Sequence, residues 1–220
     1  MDLVVPMKHP REGKSRLRGA VEADRHPGLV LALAADTLAA VTSAGCVRRV
    51  LLVAADPAAV AELAELGVEI VAEPATESVE GSVVGSVEQG LNAAFRHGEA
   101  LLRADDPRAV VGALQADLPA LRAGDLSAAL AEAVGRRAFV ADRQGTGTTL
   151  LLSAPGAPLD PRFGPGSARK HAASGAVSLA RKLPTLRTDV DTPEDLAHVR
   201  GLGVGKHTAA RLGEPCAAPH

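Results

Sequence analysis

Apolar and polar positions alternate along the chain in blocks that predict strands and helices in turn. Short apolar runs, typical of buried strands, lie at residues 3–6, 50–54 and 68–71. A segment with helical spacing, residues 29–44, ends before Gly45, and a second predicted helix runs from Asp56-Pro57 to Leu66. These blocks predict a β-α-β-α-β unit.

The same alternation continues through the second half of the chain. A polar loop at 76–81 precedes an amphipathic helix predicted over 83–103, and further elements are predicted at 110–117, 125–134, 138–141 and 150–153. This order predicts an α/β fold, with three α/β/α layers around a mostly parallel mixed sheet and right-handed crossovers. We expect a single domain over residues 1–202 and, because Gly, Pro and Ala mix there without periodicity, a flexible tail over 203–220.

An aspartate closes one of these predicted strands. Asp117 follows the run that begins at Val110 and is followed by Leu118-Pro119. The carboxyl ends of parallel strands line the ligand crevice of an open sheet, so Asp117 is predicted to reach a cleft where its oxygens suit Mg²⁺. Alternatively, Asp117 caps a helix that begins at Leu118-Pro119.

Two basic segments follow predicted strands. Five of the twelve residues from Pro6 to Leu17 are Lys, Arg or His, at the position where phosphates usually bind in βα units. Neither glycine-rich phosphate motif is present, so side chains would form the cradle; the alternative is a solvated charged face. In the second segment, residues 162–171, a Gly-Pro-Gly turn leads to Ser167 at a helix start, as a cap or a phosphate donor.

Two further loops carry polar groups. The Gly/Thr-rich loop 142–149 predicts a β-hairpin and could also present N–H and hydroxyl donors to an anion. Alternation in an extended segment puts Asp189 and Asp191 on one face, before a helix start at residues 192–195. Asp191 or Thr192 could instead cap that helix.

Composition narrows the class of partner. With three Phe, no Trp, no Tyr and a net charge of −2, the chain lacks stacking platforms and the basic excess that nucleic-acid binding needs. Cys46 and Cys216 have no metal-ligand spacing, and we see neither a signal peptide nor a membrane helix, so we expect a cytoplasmic protein.

Two basic loops and three aspartates at strand ends indicate a cleft for polyphosphate and divalent metal. Oligomeric state stays open.

Several motifs together resemble the 2-phospho-L-lactate and phosphoenolpyruvate guanylyltransferases, which make the activated intermediate for coenzyme F-420. Asp-Leu-Pro and Asp-Thr-Pro-Glu-Asp-Leu are shared with sugar and molybdopterin nucleotidyltransferases, whereas Lys-x5-Lys-Ser-Arg-Leu and Phe-Gly-Pro-Gly-Ser are narrower. The motifs also include Leu91-Asn92, and the similarity spans residues 3 to 200. The glycine-rich first loop of the sugar enzymes is missing here.

The resemblance implies a nucleotide-diphospho-sugar-transferase-like fold that uses GTP with two Mg²⁺ ions. It implies metal ligands at Asp117, Asp189 and Asp191, and acceptor-binding residues at Thr149, Gly164 and Ser167. For catalysis we expect the cations of the first loop to neutralise the triphosphate, namely Lys8, Lys14 and Arg16. Arg162 or Lys170 is a candidate for the acceptor's carboxylate.

The acceptor is the least determined part of this interpretation. The alanine- and arginine-rich composition resembles actinobacterial members of the family and favours phosphoenolpyruvate. 2-Phospho-L-lactate and 3-phospho-D-glycerate are alternatives, because pocket shape more than motif separates such acids. Molybdopterin or sugar nucleotidyl transfer and a silent GTP-binding regulator are the remaining alternatives.

Overall fold

The computed structural model describes residues 1–17, 22, 24–74 and 86–213. Its strands are β1 (Asp2–Met7), β2 (Arg49–Ala54), β3 (Glu69–Ala72), β4 (Val111–Leu114), β5 (Ala138–Ala141), β6 (Thr148–Leu152) and β7 (Val177–Ser178). Its helices are α1 (His26–Thr42), α2 (Ser86–Asp105), α3 (Ala123–Ala133), α4 (Ser167–Ala173), α5 (Pro184–Arg187), α6 (Pro193–Leu202) and α7 (Lys206–Leu212). Two 3₁₀ segments lie at Ser15–Leu17 and Ala58–Leu66.

Within the described residues, the strands form one seven-stranded sheet in the order β3-β2-β1-β4-β6-β5-β7. β1 pairs in parallel with β2 and β4, β2 with β3, and β5 with β7. β6 alone runs against its neighbours among the described strands, pairing antiparallel with β4 and β5. The predicted mostly parallel mixed sheet is therefore confirmed. The segment predicted as a second helix is 3₁₀ over Ala58–Leu66.

Side chains alternate between two apolar layers along the central strands. Leu3 and Val5 of β1 face one layer, which contains Leu38 of α1, while Val4 faces the other, which contains Phe95 of α2. This alternation is what a strand buried on both faces requires. Helix α2 approaches β1 so closely at Gly98 that a Cβ there would overlap the Val4 side chain, so glycine is required at this contact.

The C-terminal segment differs from the sequence prediction. Within the segment predicted as a flexible tail, the structure has helix α7 packed against α1, while residues 214–220 lie outside the described residues. The buried carboxylate of Asp36 accepts hydrogen bonds from the backbone N–H groups of His207 (3.0 Å) and Thr208 (2.8 Å) at the start of α7. These N–H groups have no partner within their own helix, and a distant side chain supplies one, which local periodicity does not reveal.

Some predicted features lie outside the described residues: the polar loop 76–81, the predicted start of a helix at Val83, and Cys216. Within the described ranges, every helix is too short or too polar to cross a bilayer.

Candidate active site

Asp117 lies immediately after β4, at the carboxyl edge of the sheet. Its backbone is fixed from two sides, because its carbonyl accepts from Val190 N (3.1 Å) and the following Leu118 N–H donates to Thr37 Oγ1 (2.9 Å). The next helix begins at Ala123, so Asp117 is not the cap of a helix at Leu118. The side chain is buried, and its Oδ1 has no hydrogen-bond partner among the described residues.

Lys14 crosses the cleft to reach two carboxylates. Its ammonium forms ion pairs with Asp117 Oδ2 and, at 2.6 Å, with Asp191 Oδ1. The Lys14 backbone has a left-handed φ of 54°, uncommon for a residue with a Cβ. The buried His26 Nε2–H donates to the Lys14 carbonyl (3.0 Å) and supports this conformation. His26 is 12 positions from Lys14, and no local sequence motif predicts this contact.

Asp189 and Asp191 flank Val190, which is fully buried. Asp191 does not cap α6. The N-cap is Thr192, which accepts from Asp195 N while Asp195 accepts from the Thr192 backbone, so the two form a capping box. Asp191 is therefore left to pair with Lys14.

The carboxylates influence one another strongly. Burial raises the pKa of Asp189 to about 7, and the charges of Asp117 and Asp191 add to the effect while Lys14 opposes it. Burial also raises the pKa of Asp117. Burial acts against the charged form of Lys14, but its ion pairs outweigh that effect and raise its pKa above the ordinary value. Asp117 and Asp189 therefore ionise less readily than free aspartates, although Lys14 opposes this effect.

The predicted three-carboxylate metal cage is not preformed. Within the described ranges, no three His, Cys, Asp or Glu side chains converge closely enough to hold a metal ion. Asp117 and Asp191 nevertheless share one cation, the Lys14 ammonium, and Asp117 Oδ1 is buried without a partner. Mg²⁺ commonly binds to one or two carboxylates together with substrate phosphates. The donor set therefore fits Mg²⁺ bound jointly with a nucleotide.

A cavity of about 420 Å³ opens beside these carboxylates. The three cations predicted for the first loop all line it: Lys8, Lys14 and Arg16. Val30 and Leu33 of α1 contribute apolar surface to its lining, which also includes Gln115, directly after β4, and Leu91 of α2. The volume is in the range of small-molecule sites, and the lining combines charged and apolar side chains.

The residues predicted to bind the acceptor only partly come together. Ser167, the first residue of α4, is buried and its Oγ donates to Thr148 Oγ1 (3.0 Å). Thr149 is also buried, but its hydroxyl donates to Val140 O of β5 at 3.5 Å. The β5–β6 register shifts here, with Val140 opposite Leu150 and Ala141 opposite Thr148, so Thr149 lies at a β-bulge. The hydroxyl that contacts Ser167 is that of Thr148. Acceptor binding by Thr149 stays a prediction.

The loop between β5 and β6 is a hairpin, as predicted. The Asp142 carboxylate accepts from Thr146 N and Gly147 N, both at 2.8 Å. Those N–H groups are already satisfied inside the hairpin, which disfavours the alternative that they bind an anion.

Sheet register brings the two groups of residues to the same edge. Leu114, at the end of β4, pairs with Leu150 of the antiparallel β6. The amino end of β6, where Thr148 lies, is therefore next to the carboxyl end of β4, after which Asp117 lies.

Two basic residues were predicted as candidates to bind the carboxylate of the acceptor. Arg162 already pairs with Asp160 (3.1 Å), and Lys170 is exposed.

Curated relatives match almost the whole chain. A phosphoenolpyruvate guanylyltransferase from Streptomyces scabiei is 50% identical over 210 residues, which cover 94% of this chain and 94% of the relative. One from Geodermatophilus obscurus is 50% identical over 218 residues, covering 96% and 93%. One from Thermomonospora curvata is 48% identical over 210 residues, covering 94% and 86%.

The chain belongs to the phosphoenolpyruvate guanylyltransferase family. This confirms the resemblance drawn from the sequence motifs, and with it the interpretation as a nucleotidyltransferase enzyme. No protein-family model matches the chain.

Solved structures agree with this family's expected fold. A protein of Desulfovibrio desulfuricans G20 whose name places it among the nucleotide-diphospho-sugar transferases has a TM-score of 0.63 at 17% identity, over 89% of this chain and 84% of that one. A nucleotidyl transferase from Methanothermobacter thermautotroptrophicus has a TM-score of 0.52 at 18% identity, over 91% and 95%. At such identities the likeness concerns the fold alone, and it confirms the predicted fold class.

Proposed function

We propose that this chain transfers GMP from GTP to the phosphate of phosphoenolpyruvate, releasing pyrophosphate and forming enolpyruvyl-diphospho-guanosine. Membership of the phosphoenolpyruvate guanylyltransferase family supports the reaction. The observation that carries the site assignment is the ion-paired group of Lys14, Asp117 and Asp191 at the cavity edge. GTP as donor and a role in coenzyme F-420 synthesis rest on the motif resemblance.

The reaction is a displacement at the α-phosphorus of GTP. An oxygen of the acceptor phosphate forms a bond to this phosphorus as the bond to the bridging β-phosphate oxygen breaks, and its electron pair leaves with pyrophosphate. The attacking oxygen is already anionic, so no general base is required. The obstacle is the repulsion between two polyanions, which positioning and charge neutralisation must overcome.

The first loop supplies positive charge where the triphosphate would lie. Lys8, Lys14 and Arg16 line one cavity and would neutralise the β- and γ-phosphates. Without a metal ion, the Lys14 ammonium pairs with the carboxylates. Once another cation neutralises these carboxylates, the ammonium would pair with a phosphate instead.

Asp117 and Asp191, with Asp189 beside them, would hold Mg²⁺. When bound, Mg²⁺ would neutralise phosphate charge and orient the two reacting groups. Asp117 contributes the buried Oδ1, which has no other described partner, and Asp191 contributes an oxygen now bonded to Lys14.

The turn before α4 would hold the acceptor. Thr149, Gly164 and Ser167 stay the predicted binders. The Ser167 and Thr148 hydroxyl groups lie next to each other, and Gly164 at φ 123° allows the backbone to approach a ligand without a side chain. The small, fixed shape of this turn is suited to a compact phosphorylated acid.

The test is mass spectrometry of the products from GTP, Mg²⁺ and each of three acids: phosphoenolpyruvate, 2-phospho-L-lactate and 3-phospho-D-glycerate, with ATP as the nucleotide control. We expect the guanylyl adduct and pyrophosphate with phosphoenolpyruvate. An adduct formed better with another acid would change the acceptor. Binding of GTP without pyrophosphate release would overturn the proposed activity and indicate a silent nucleotide-binding regulator.

A further inference from the structure

The segment that leads from β6 to α4 has no regular secondary structure around Phe163. Its backbone groups therefore need partners from elsewhere. Asn92 of α2 provides two of them: its Nδ2 donates to Phe163 O (3.0 Å) and its Oδ1 accepts from Phe163 N (2.8 Å). Asn92 is buried and lies beside Leu91, which lines the cavity.

His171 of α4 holds the same segment from the opposite side. Its Nε2 accepts from Arg162 N (2.9 Å), and its Nδ1 lies 2.9 Å from Thr148 Oγ1. The imidazole is fully buried, and burial lowers its pKa to about 4, so it is neutral at physiological pH. The Phe163 ring packs between Phe95, at 4.4 Å, and the edge of His171, at 5.1 Å between centroids.

These contacts determine the direction of the hydrogen bonds. Because Nε2 of the neutral His171 accepts from Arg162, Nδ1 must carry the proton and donate to Thr148 Oγ1. Ser167 Oγ donates to the same oxygen. Both lone pairs of the Thr148 hydroxyl are then occupied, and its own proton is available to a ligand that only accepts, such as a phosphate or carboxylate.

We propose that Asn92 and His171 are positioning residues of the acceptor site: Asn92 fixes the backbone at Phe163, and His171 fixes Arg162 and makes Thr148 a donor to the acceptor's anionic oxygens. This inference rests on the proposed function, which places the acceptor at Ser167 and Gly164. Neither residue touches the reacting atoms. Their substitution therefore changes acceptor binding and leaves nucleotide binding intact.

Two histidine variants separate the two contacts of the imidazole. His171→Asn keeps a donor near the position of Nδ1, toward Thr148, whereas His171→Gln keeps an acceptor near the position of Nε2, toward Arg162. Asn92→Leu has similar volume and removes both bonds to Phe163 without adding charge. Thr185→Val is the matched control, since it removes a buried hydroxyl on α5 that bonds Asp125 and Arg122 and touches none of the acceptor turn.

The experiment measures KM for phosphoenolpyruvate, KM for GTP and kcat, together with the unfolding midpoint, for the full chain and each variant. We expect His171→Gln and Asn92→Leu to raise the acceptor KM about five- to tenfold, the loss of one or two neutral hydrogen bonds, with the GTP KM and kcat within about twofold. His171→Asn raises it less than His171→Gln. Thr185→Val lowers the unfolding midpoint without changing either KM.

A Ser167→Ala variant separates the two levels of the argument. If Ser167→Ala raises the acceptor KM but His171→Gln and Asn92→Leu do not, or if they raise both KM values equally, the positioning role is overturned and the proposed function stands. If Ser167→Ala leaves the acceptor KM unchanged, the acceptor site itself is misplaced and the inference falls with it. Should Asn92→Leu fail to fold, the comparison of His171→Asn with His171→Gln decides.

Discussion

Replacing Lys14 by methionine tests the idea that its ammonium occupies the position of a metal ion. Methionine keeps the length of the side chain and the backbone demand of the left-handed φ of 54°. It removes the charge that lies between Asp117 and Asp191. The metal-free protein would then hold neighbouring carboxylates without that neutralising cation.

The magnitude follows from the exposure of each partner. The Asp117 side chain is 10% exposed and Lys14 is 19% exposed, so loss of this pair leaves a nearly buried carboxylate, at a cost of about 3 kcal/mol. Asp191 is 52% exposed and solvent screens its pair, which adds less than about 1 kcal/mol. For a chain of this size, a loss of about 3 kcal/mol lowers the unfolding midpoint by roughly 6–12 °C.

The assay is thermal and urea unfolding of the wild type and Lys14→Met, each with EDTA and with a series of Mg²⁺ concentrations. In EDTA we expect the variant to be less stable by the amount above. Mg²⁺ at about 100 times its Kd adds roughly 2.7 kcal/mol where nothing competes. In the wild type the ammonium competes for the same oxygens, so Mg²⁺ stabilises the variant more than the wild type. Lys8→Met is the matched control, because Lys8 lines the same cavity but is exposed.

Equal stability of the two proteins in EDTA would refute the ion-pair argument. An equal gain from Mg²⁺ in both would refute the competition between ammonium and metal. A loss of the same size in Lys8→Met would show that any cation of the first loop has this effect, and that the position between the carboxylates is not special.

Three further predictions concern other parts of the molecule. Asp117→Asn keeps the size of the side chain but removes its charge and one oxygen donor, so kcat should fall at least about 100-fold, and the unfolding midpoint should also fall because Lys14 loses its more buried partner. Steady-state pyrophosphate release measures the rate, and near-normal turnover would exclude a metal-binding role. Asp36→Ala leaves the N–H groups of His207 and Thr208 without their acceptor and should lower the free energy of unfolding by about 2 kcal/mol, measured by urea unfolding; an unchanged midpoint would mean that α7 does not depend on this cap. His171 has its pKa lowered to about 4 and stays neutral in the fold, while in the unfolded chain it takes up a proton below about pH 6.5, so its contribution to stability is complete above that pH and is lost, by on the order of 3 kcal/mol, as the pH falls toward 4. When the free energy of unfolding is measured at several pH values between 4 and 7, its slope against pH should be shallower for His171→Gln than for the wild type, and identical slopes would contradict the assignment.

Periodicity and local motifs were sufficient for the sheet and for the position of Asp117. Apolar runs of strand length, separated by segments with helical spacing, indicate an α/β sheet. A strand that is buried on both faces has such a continuous apolar run whatever its place in the sheet. An aspartate at the end of such a strand must lie near the carboxyl edge of the sheet. The family motifs then indicated the chemistry, and the relatives confirmed it.

The tertiary structure decided which side chains meet. Lys14 and Asp117 are 103 positions apart, and Asn92 and Phe163 are 71 apart, so no window of sequence contains either pair. The contact between the Thr148 and Ser167 hydroxyl groups joins β6 to α4. A carboxylate of α1, 171 positions away, caps helix α7 in a segment that has no periodicity of its own. Sequence alone determined the elements, because propensity and amphipathicity act over a few residues. Strand order and register determined the site, because they set the distances between residues far apart in the chain.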